Sequence, residues 1–335
     1  MLSLERLVWQ FRGHRLVRDL SFQLLPHPIV VSNPLYRLIY ERRIRNKVRE
    51  YLAYPHAISI ESTNHCNAKC WLCPYPKMTR PKGIMAEDLF DLILEQVKHI
   101  PLLSMFLSGF GEPLLDPNLE QKCQKAKQSG VHRVSFYTNG QLLDKTRAHN
   151  LVESGIDAID ISIDAGTPAT FNRLRRGLDF DTVIANVRYL AGIRKADKPF
   201  ITVDMLVAGK NGSEKDRLAT LLKGCYDRLV VRQPDDWIGS IMVPAGAKTP
   251  HRRLPLRYHP PCKHLWDMMV VYWDGTVPLC CHDYDARCVM GNAAQDTLAG
   301  IWGNQVYGKY RTAHLAHTGF NLDLCRDCQF FTIWW

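Results

Sequence analysis

Three cysteines within eight positions, Cys66, Cys70 and Cys73 in "ESTNHCNAKCWLCPYP", can hold a metal centre through three thiolates. A closed structural zinc site takes four protein ligands, and the closest other candidate, His65, adjoins Cys66, where neighbouring side chains chelate one ion poorly. An iron-sulfur cube held by three thiolates leaves one iron open to an outside ligand, so the spacing points to a cluster whose vacancy receives a small molecule. Zinc is the competing reading.

The elements that must position this loop are legible around it. Apolar, β-rich runs recur six times, at 57–63, 104–111, 133–140, 157–164, 200–207 and 227–234, with helical patterns between them such as "AEDLFDLILEQVKHI" and "FDTVIANVRYLAGIRKA". Strands alternating with helices imply a parallel sheet with right-handed crossovers, hence an α/β barrel or a doubly wound sheet. Polar residues gather where these strands end: Glu61, Glu112, Thr138 with Asn139, Ser162 with Asp164, and Arg232. That rim is where parallel α/β folds bind ligands, and Cys66 follows the first strand onto it. After residue 235 the pattern changes: a Pro- and Arg-rich connector leads to "WDMMVVYWDGTVPLCC", read as a hairpin turning at Asp274-Gly275, then one helix over about 296–317. Three segments are expected: a basic helical extension over 1–55, a barrel over 56–240, and a linker with a small cysteine-rich domain over 241–335.

Net charge is +10, and residues 1–55 carry ten Lys/Arg against four Asp/Glu, so this extension could meet an acidic partner or a membrane surface. The chain lacks an apolar run of membrane-spanning length and its first twenty residues are dotted with arginines, so a cytoplasmic protein is expected. In that reducing compartment, eleven cysteines read as metal or redox sites more readily than as disulfides. Cys123 and Cys225, each alone in a helical pattern, read as small buried hydrophobes.

The Cys-x3-Cys-x2-Cys motif after the first strand of a six-unit partial barrel resembles the radical S-adenosylmethionine enzymes, over roughly residues 57 to 335. The resemblance implies a partial (β/α)6 barrel, a [4Fe-4S] cluster on Cys66, Cys70 and Cys73, and S-adenosylmethionine chelated by the open iron. It further implies reductive cleavage to a 5′-deoxyadenosyl radical that takes a hydrogen atom from substrate, fed by a one-electron donor of flavodoxin or ferredoxin type. "SGFGEP" resembles the family's Gly-Gly-Glu element, with Glu112 accepting the cofactor's ammonium and Gly109 and Gly111 admitting close backbone. Ser162 and Asp164 match the ribose contacts, Asn139 borders the pocket, and Arg175 in "FNRLRRG" matches the arginine for the methionyl carboxylate, with Arg173 as the fallback. Leu72 stands where the family has an aromatic residue.

The later cysteines complete the resemblance. Cys262, Gly275, Cys280, Cys325 and Cys328 are spaced like the auxiliary-cluster domain of these enzymes in its short, twitch form of the SPASM type. This implies a small α+β domain with one fully ligated auxiliary [4Fe-4S] cluster on Cys262, Cys280, Cys325 and Cys328. Cys281 is the alternative to Cys280, and a four-cysteine zinc ribbon is the alternative to the cluster. Such an auxiliary cluster implies dehydrogenation of a small polar substrate, a sugar, aminosugar or cyclitol, with the cluster taking the electron. Epimerisation would use a thiol hydrogen donor, Cys281 or Cys288. After the sixth strand, Arg232 could stabilise an alkoxide, and Asp235 or Asp236 could bind an amine or hydroxyl. The alternatives are a peptide-modifying member of the same family and, from another class, a basic zinc-containing nucleic-acid binder; on the leading reading no specific nucleic acid is expected.

Overall fold

The computed structural model describes residues 52–243, 261–326 and 328, with four further helical positions between 34 and 48. Of the expected basic extension, Val48 is helical and buried against the main core; nearly all of the rest, and the connector over 244–260, lie outside the described residues.

The six expected strands form in chain order as β1 (Ala57–Ile60), β2 (Ser104–Phe106), β3 (Arg133–Thr138), β4 (Ala158–Ser162), β5 (Phe200–Leu206) and β6 (Arg228–Arg232), each parallel to its predecessor. Helices α1 (Glu87–Val97), α2 (Leu119–Gln128), α3 (Lys145–Glu153), α4 (Pro168–Leu174), α5 (Phe180–Ile193) and α6 (Lys215–Leu221) fill the crossovers. Their starts are written locally. Asp144, Thr167 and Asp179 each accept a backbone N–H two or three residues into the helix that follows, satisfying donors that a helix N-terminus leaves free.

The expected hairpin after residue 266 is replaced by a different arrangement. β7 (Met268–Val271) joins the large sheet, parallel to β1 with Ala57 opposite Met268, giving a seven-stranded order β6-β5-β4-β3-β2-β1-β7. The chain does turn at Gly275, whose φ of 86° suits glycine. β8 (Thr276–Pro278), however, pairs antiparallel with β9 (Val289–Asn292). The cysteine-rich segment thus supplies an edge strand to the barrel. β6 and β7 are the sheet's two edges, so the barrel is partial. The expected helix over 296–317 is two, α8 (Leu298–Gly303) and α9 (Gln305–Leu315), because Asn304 is extended and accepts the Tyr307 N–H as an N-cap. Two short helices lie at the remaining cysteines: α7 (His264–Asp267) follows Cys262, and α10 (Asp323–Arg326) carries Cys325.

Alternation along β4 and β5 separates two faces. Ile159, Ile161, Val203 and Met205 belong to the main core, which also takes in Val183, Val187 and Leu190 of α5. Asp160, Ser162, Thr202 and Asp204 point to the opposite face. With Tyr137 of β3 and Arg232 of β6 they give the sheet a polar side.

Candidate active site

The loop carrying Cys66, Cys70 and Cys73 has little secondary structure of its own and is fixed by its neighbours. Lys69 and Trp71 donate backbone N–H bonds to Arg176 and Leu174, at 2.8 and 3.0 Å. The Tyr75 hydroxyl accepts the Cys66 N–H, and Asn139 donates to the Asn67 side chain at 2.7 Å. Burial, joined by smaller contributions from the neighbouring cysteines, pushes the Cys66 and Cys73 thiols up to about 11 and about 12. Three thiolates here are unfavourable without a cation to bind them.

Glu112 is buried beside this loop. One carboxylate oxygen accepts from Leu114 N–H and the Thr138 hydroxyl, the other from Asn139 N–H at 2.7 Å. Burial raises its pKa and these donors oppose the rise. Oε2, with one recorded donor, retains acceptor capacity. The glycines before it serve the loop itself. A Cβ on Gly109 would lie 2.5 Å from Glu61 Cγ, and one on Gly111 would lie 2.6 Å from the Thr63 carbonyl. Close approach is therefore needed, but it is to Glu61 and to the cysteine loop.

Glu61, at the end of β1, is fully buried and committed to a structural pair. Arg80 meets it with two N–H···O bonds of 2.9 Å, and Phe110 N–H adds a third at 3.0 Å. The same guanidinium lies 3.6 Å over the Tyr272 ring and donates to the Tyr284 carbonyl. Burial works against its charge and Glu61 more than restores it. Arg80 thus ties the barrel rim to the C-terminal segment.

Arg175, the C-cap of α4, reaches the cysteines while Arg173 is exposed. Its Nη2 pairs with Asp164 Oδ2 at 2.7 Å and its Nη1 lies 3.7 Å from Cys70 Sγ. Burial would lower its pKa, but Asp164 and Cys70 raise it, so it stays a cation. Its Nε is buried without a hydrogen-bond partner among the described residues, a donor suited to a carboxylate. Asp164 has φ 65° and accepts Leu206 N–H through Oδ1, so both of its oxygens already have protein partners. Ser162 is half-buried at the end of β4. Leu72 packs with Leu174, Ala208 and Ile241, and its carbonyl accepts the Trp237 indole N–H. Trp237 in turn meets Phe110 edge-on at 5.4 Å, bringing an aromatic ring to the place where Leu72 offers none.

The expected catalytic residues fall into two groups. Arg232 donates to Asp204 Oδ1 through Nε and Nη2, at 3.0 and 2.6 Å, and lies over Tyr137. Asp235 meets His282 Nε2 at 2.5 Å, and His282 Nδ1 is 3.5 Å from Cys281 Sγ. Burial would raise the Asp235 pKa and lower that of His282; His282 overcomes it in the first, which is lowered, and Cys281 followed by Asp235 overcomes it in the second, which is raised. His282 joins two residues that sequence reasoning had taken separately. Its signal in the sequence is a histidine directly after Cys280-Cys281, whose partner Asp235 lies 47 positions earlier. Asp204 and Asp160 were also missed, although "AIDISID" and "TVDML" carry the period-two alternation that marks a polar face.

Cys262, Cys280, Cys325 and Cys328 line one cavity beneath α9. Cys281 turns away from it and packs beside Phe110 and Tyr272. Cys288 accepts a hydrogen bond from the Tyr310 hydroxyl at 3.2 Å. Cys123 is fully buried, whereas Cys225 is half-exposed after α6. Among the described residues, no three His, Cys, Asp or Glu side chains gather closely enough to chelate a single ion. The four cysteines instead surround a space, an arrangement that fits a cube.

A parallel partial barrel with three cysteines at its mouth and four more in an appended domain defines a class. The family model for the radical SAM superfamily matches residues 60–223, and the SPASM iron-sulfur cluster-binding domain matches residues 262–329. The chain belongs to the radical SAM superfamily: it is an enzyme that takes S-adenosylmethionine and a [4Fe-4S] cluster in the barrel and an auxiliary cluster in the C-terminal domain. Among its relatives is the S-adenosyl-L-methionine-dependent 2-deoxy-scyllo-inosamine dehydrogenase of Niallia circulans, 26% identical over 81% of this chain and 92% of that protein. The tungsten-containing aldehyde ferredoxin oxidoreductase cofactor-modifying protein of Pyrococcus furiosus is also 26% identical, over 81% of this chain and 86% of its own. In fold, the crystal structure of Streptococcus suis SuiB bound to precursor peptide SuiA superposes with a TM-score of 0.67 at 16% identity, covering 98% of this chain and 85% of SuiB. No helix among the described residues is long and apolar enough to cross a membrane.

Proposed function

We propose that this enzyme abstracts a hydrogen atom from a small polar substrate, a sugar, aminosugar or cyclitol, and carries it to a ketone or an epimer. The observation that carries this reading is Asp204 Oδ2, a buried carboxylate oxygen on the polar strand face with no hydrogen-bond partner among the described residues. A buried acceptor left unpaired costs about 1–3 kcal/mol, and a substrate hydroxyl or ammonium would supply the missing donor. Asp160, Tyr137 and Arg232 line the same face. The named activity of the Niallia circulans relative points the same way.

When bound, the cluster on Cys66, Cys70 and Cys73 and S-adenosylmethionine supply a 5′-deoxyadenosyl radical. Around them, Glu112 Oε2 accepts the cofactor's ammonium, and Arg175 Nε meets its carboxylate while Asp164 holds that guanidinium in place. Ser162 and Asn139 border the nucleoside, and Gly109 and Gly111 let the loop carrying Glu112 lie against the cysteines. Asp235, paired with His282, binds a hydroxyl or amine of the substrate, and Arg232 stabilises the alkoxide; Cys281 is the thiol for the epimerising outcome. Cys262, Cys280, Cys325 and Cys328 hold the auxiliary cluster, and a flavodoxin- or ferredoxin-type protein delivers the electron.

Two substitutions separate these roles. Glu112→Gln keeps an acceptor for Thr138 or Asn139 but removes the charge, and should weaken S-adenosylmethionine binding about 10- to 100-fold, on the ~1.5–3 kcal/mol of a charged hydrogen bond. Equilibrium binding to anaerobically reconstituted protein reads this directly. Asp204→Asn keeps Oδ1 for Arg232, and should raise the substrate KM about tenfold while leaving S-adenosylmethionine affinity unchanged. The substrate class is tested by incubating the reduced enzyme with S-adenosylmethionine and a panel of aminosugars, nucleotide sugars and short peptides in deuterated water. A ketone indicates dehydrogenation, and deuterium on carbon indicates epimerisation. A mass change confined to a peptide would overturn the small-molecule reading.

A further inference from the structure

We propose that His314 donates an N–H···S hydrogen bond to the Cys325 thiolate and thereby raises the reduction potential of the C-terminal cluster. The proposal rests on the assignment of Cys262, Cys280, Cys325 and Cys328 as that cluster's ligands.

His314 lies in the last turn of α9, 1% exposed, and lines the cavity that these four cysteines share. Its two ring nitrogens face different partners. Nδ1 accepts the backbone N–H of Cys262 at 3.3 Å, and Nε2 lies 3.4 Å from Cys325 Sγ. A backbone N–H can only donate, so Nδ1 must present its lone pair, and a neutral imidazole then carries its proton on Nε2. A ligating thiolate can only accept. The Cys262 amide therefore fixes the tautomer that Cys325 requires, without any change in protonation.

The ring is held in this orientation from behind. A Cβ at Gly319 would fall 2.8 Å from Cε1 and Nε2 of His314, so the 3-10 turn at Gly319–Asn321 packs directly on the imidazole. Hydrogen bonds to cluster sulfurs stabilise the more negative, reduced state and so raise the potential. A raised potential suits a cluster that must take an electron from a substrate-derived species.

The test is a redox titration, followed by electron paramagnetic resonance, of the full chain carrying Cys66→Ala, Cys70→Ala and Cys73→Ala, in which the remaining signal belongs to the auxiliary cluster. His314→Asn places its amide near the Nδ1 position and removes the donor at Nε2; His314→Gln restores an N–H near Nε2. The expected result is a shift of the midpoint potential to more negative values in His314→Asn, with His314→Gln returning close to the parent. Should His314→Asn lose its iron, Gly319→Ala carries the test, since it displaces the ring without deleting it and should shift the potential in the same direction. A retained cluster with an unmoved potential overturns the proposal, as does an equal shift in the Asn and Gln variants, which would report packing alone. If the triple-alanine chain binds no cluster at all, the ligand assignment fails and this inference fails with it.

Discussion

Replacing Cys66, Cys70 and Cys73 by alanine should reduce 5′-deoxyadenosine formation to the uncatalysed background while leaving about half of the iron bound, roughly four atoms of eight on the count of two cubes. The two sets of cysteines lie on different walls of the molecule: the first on the loop after β1, the second around a cavity under α9. The first loop is tied down by Lys69, Trp71 and Asn67 through bonds that do not involve sulfur. Alanines should therefore leave the loop in place and remove its ligands. Iron content and the remaining paramagnetic signal check the second half of this expectation, and product analysis checks the first. Loss of all iron in the triple variant would contradict the assignment of Cys262, Cys280, Cys325 and Cys328 as the ligands of a second cluster.

The second large effect is on stability. Arg80→Met should destabilise the protein by about 3–5 kcal/mol, because it strands the fully buried Glu61 carboxylate without its counter-charge. For a chain of this size the thermal midpoint should fall by about 4–7 °C. Glu61→Gln combined with Arg80→Met should recover part of the loss, because a neutral amide tolerates burial better than an unpaired carboxylate. The position of Arg80 predicts a second consequence. Its guanidinium also binds the Tyr284 carbonyl and covers Tyr272, so protection of residues 272–286 against hydrogen exchange should fall with the barrel rim. An unchanged melting profile would show that Glu61 finds another partner.

The parts of this architecture that could be read from the chain are those in which local pattern and tertiary role agree. β1 to β6 are flanked by helices, and their core-facing residues give short apolar runs that stand out between amphipathic stretches. The cysteine motif is equally visible because metal ligation fixes residue type and spacing together. β7 was misread for an opposite reason. "MMVV" precedes a turn that looks like a hairpin, whereas its partner β1 lies some two hundred residues earlier, and nothing local encodes that pairing. The break at Asn304 was in principle legible, since Asn followed three residues later by a satisfied amide is an N-cap, but the apolar pattern on both sides hid it.

At the site, the rim residues were found because they follow strands, while their partners were not. Glu61 looked like a ligand contact until Arg80, nineteen positions away in an irregular loop, claimed both of its oxygens. Asp164, expected at the nucleoside, also holds Arg175 and accepts the Leu206 N–H, partners that its place at a strand end does not reveal. Conversely, the buried oxygen of Asp204 and the ring of His314 draw their meaning from what faces them across the fold, which residue type and spacing do not carry.

The most direct measurement is anaerobic reductive cleavage. Purified chain, given iron and sulfide and reduced with dithionite, should convert S-adenosylmethionine to methionine and 5′-deoxyadenosine, with the rate rising when the correct substrate is present. Protein that holds its full complement of iron yet forms no 5′-deoxyadenosine would contradict the account.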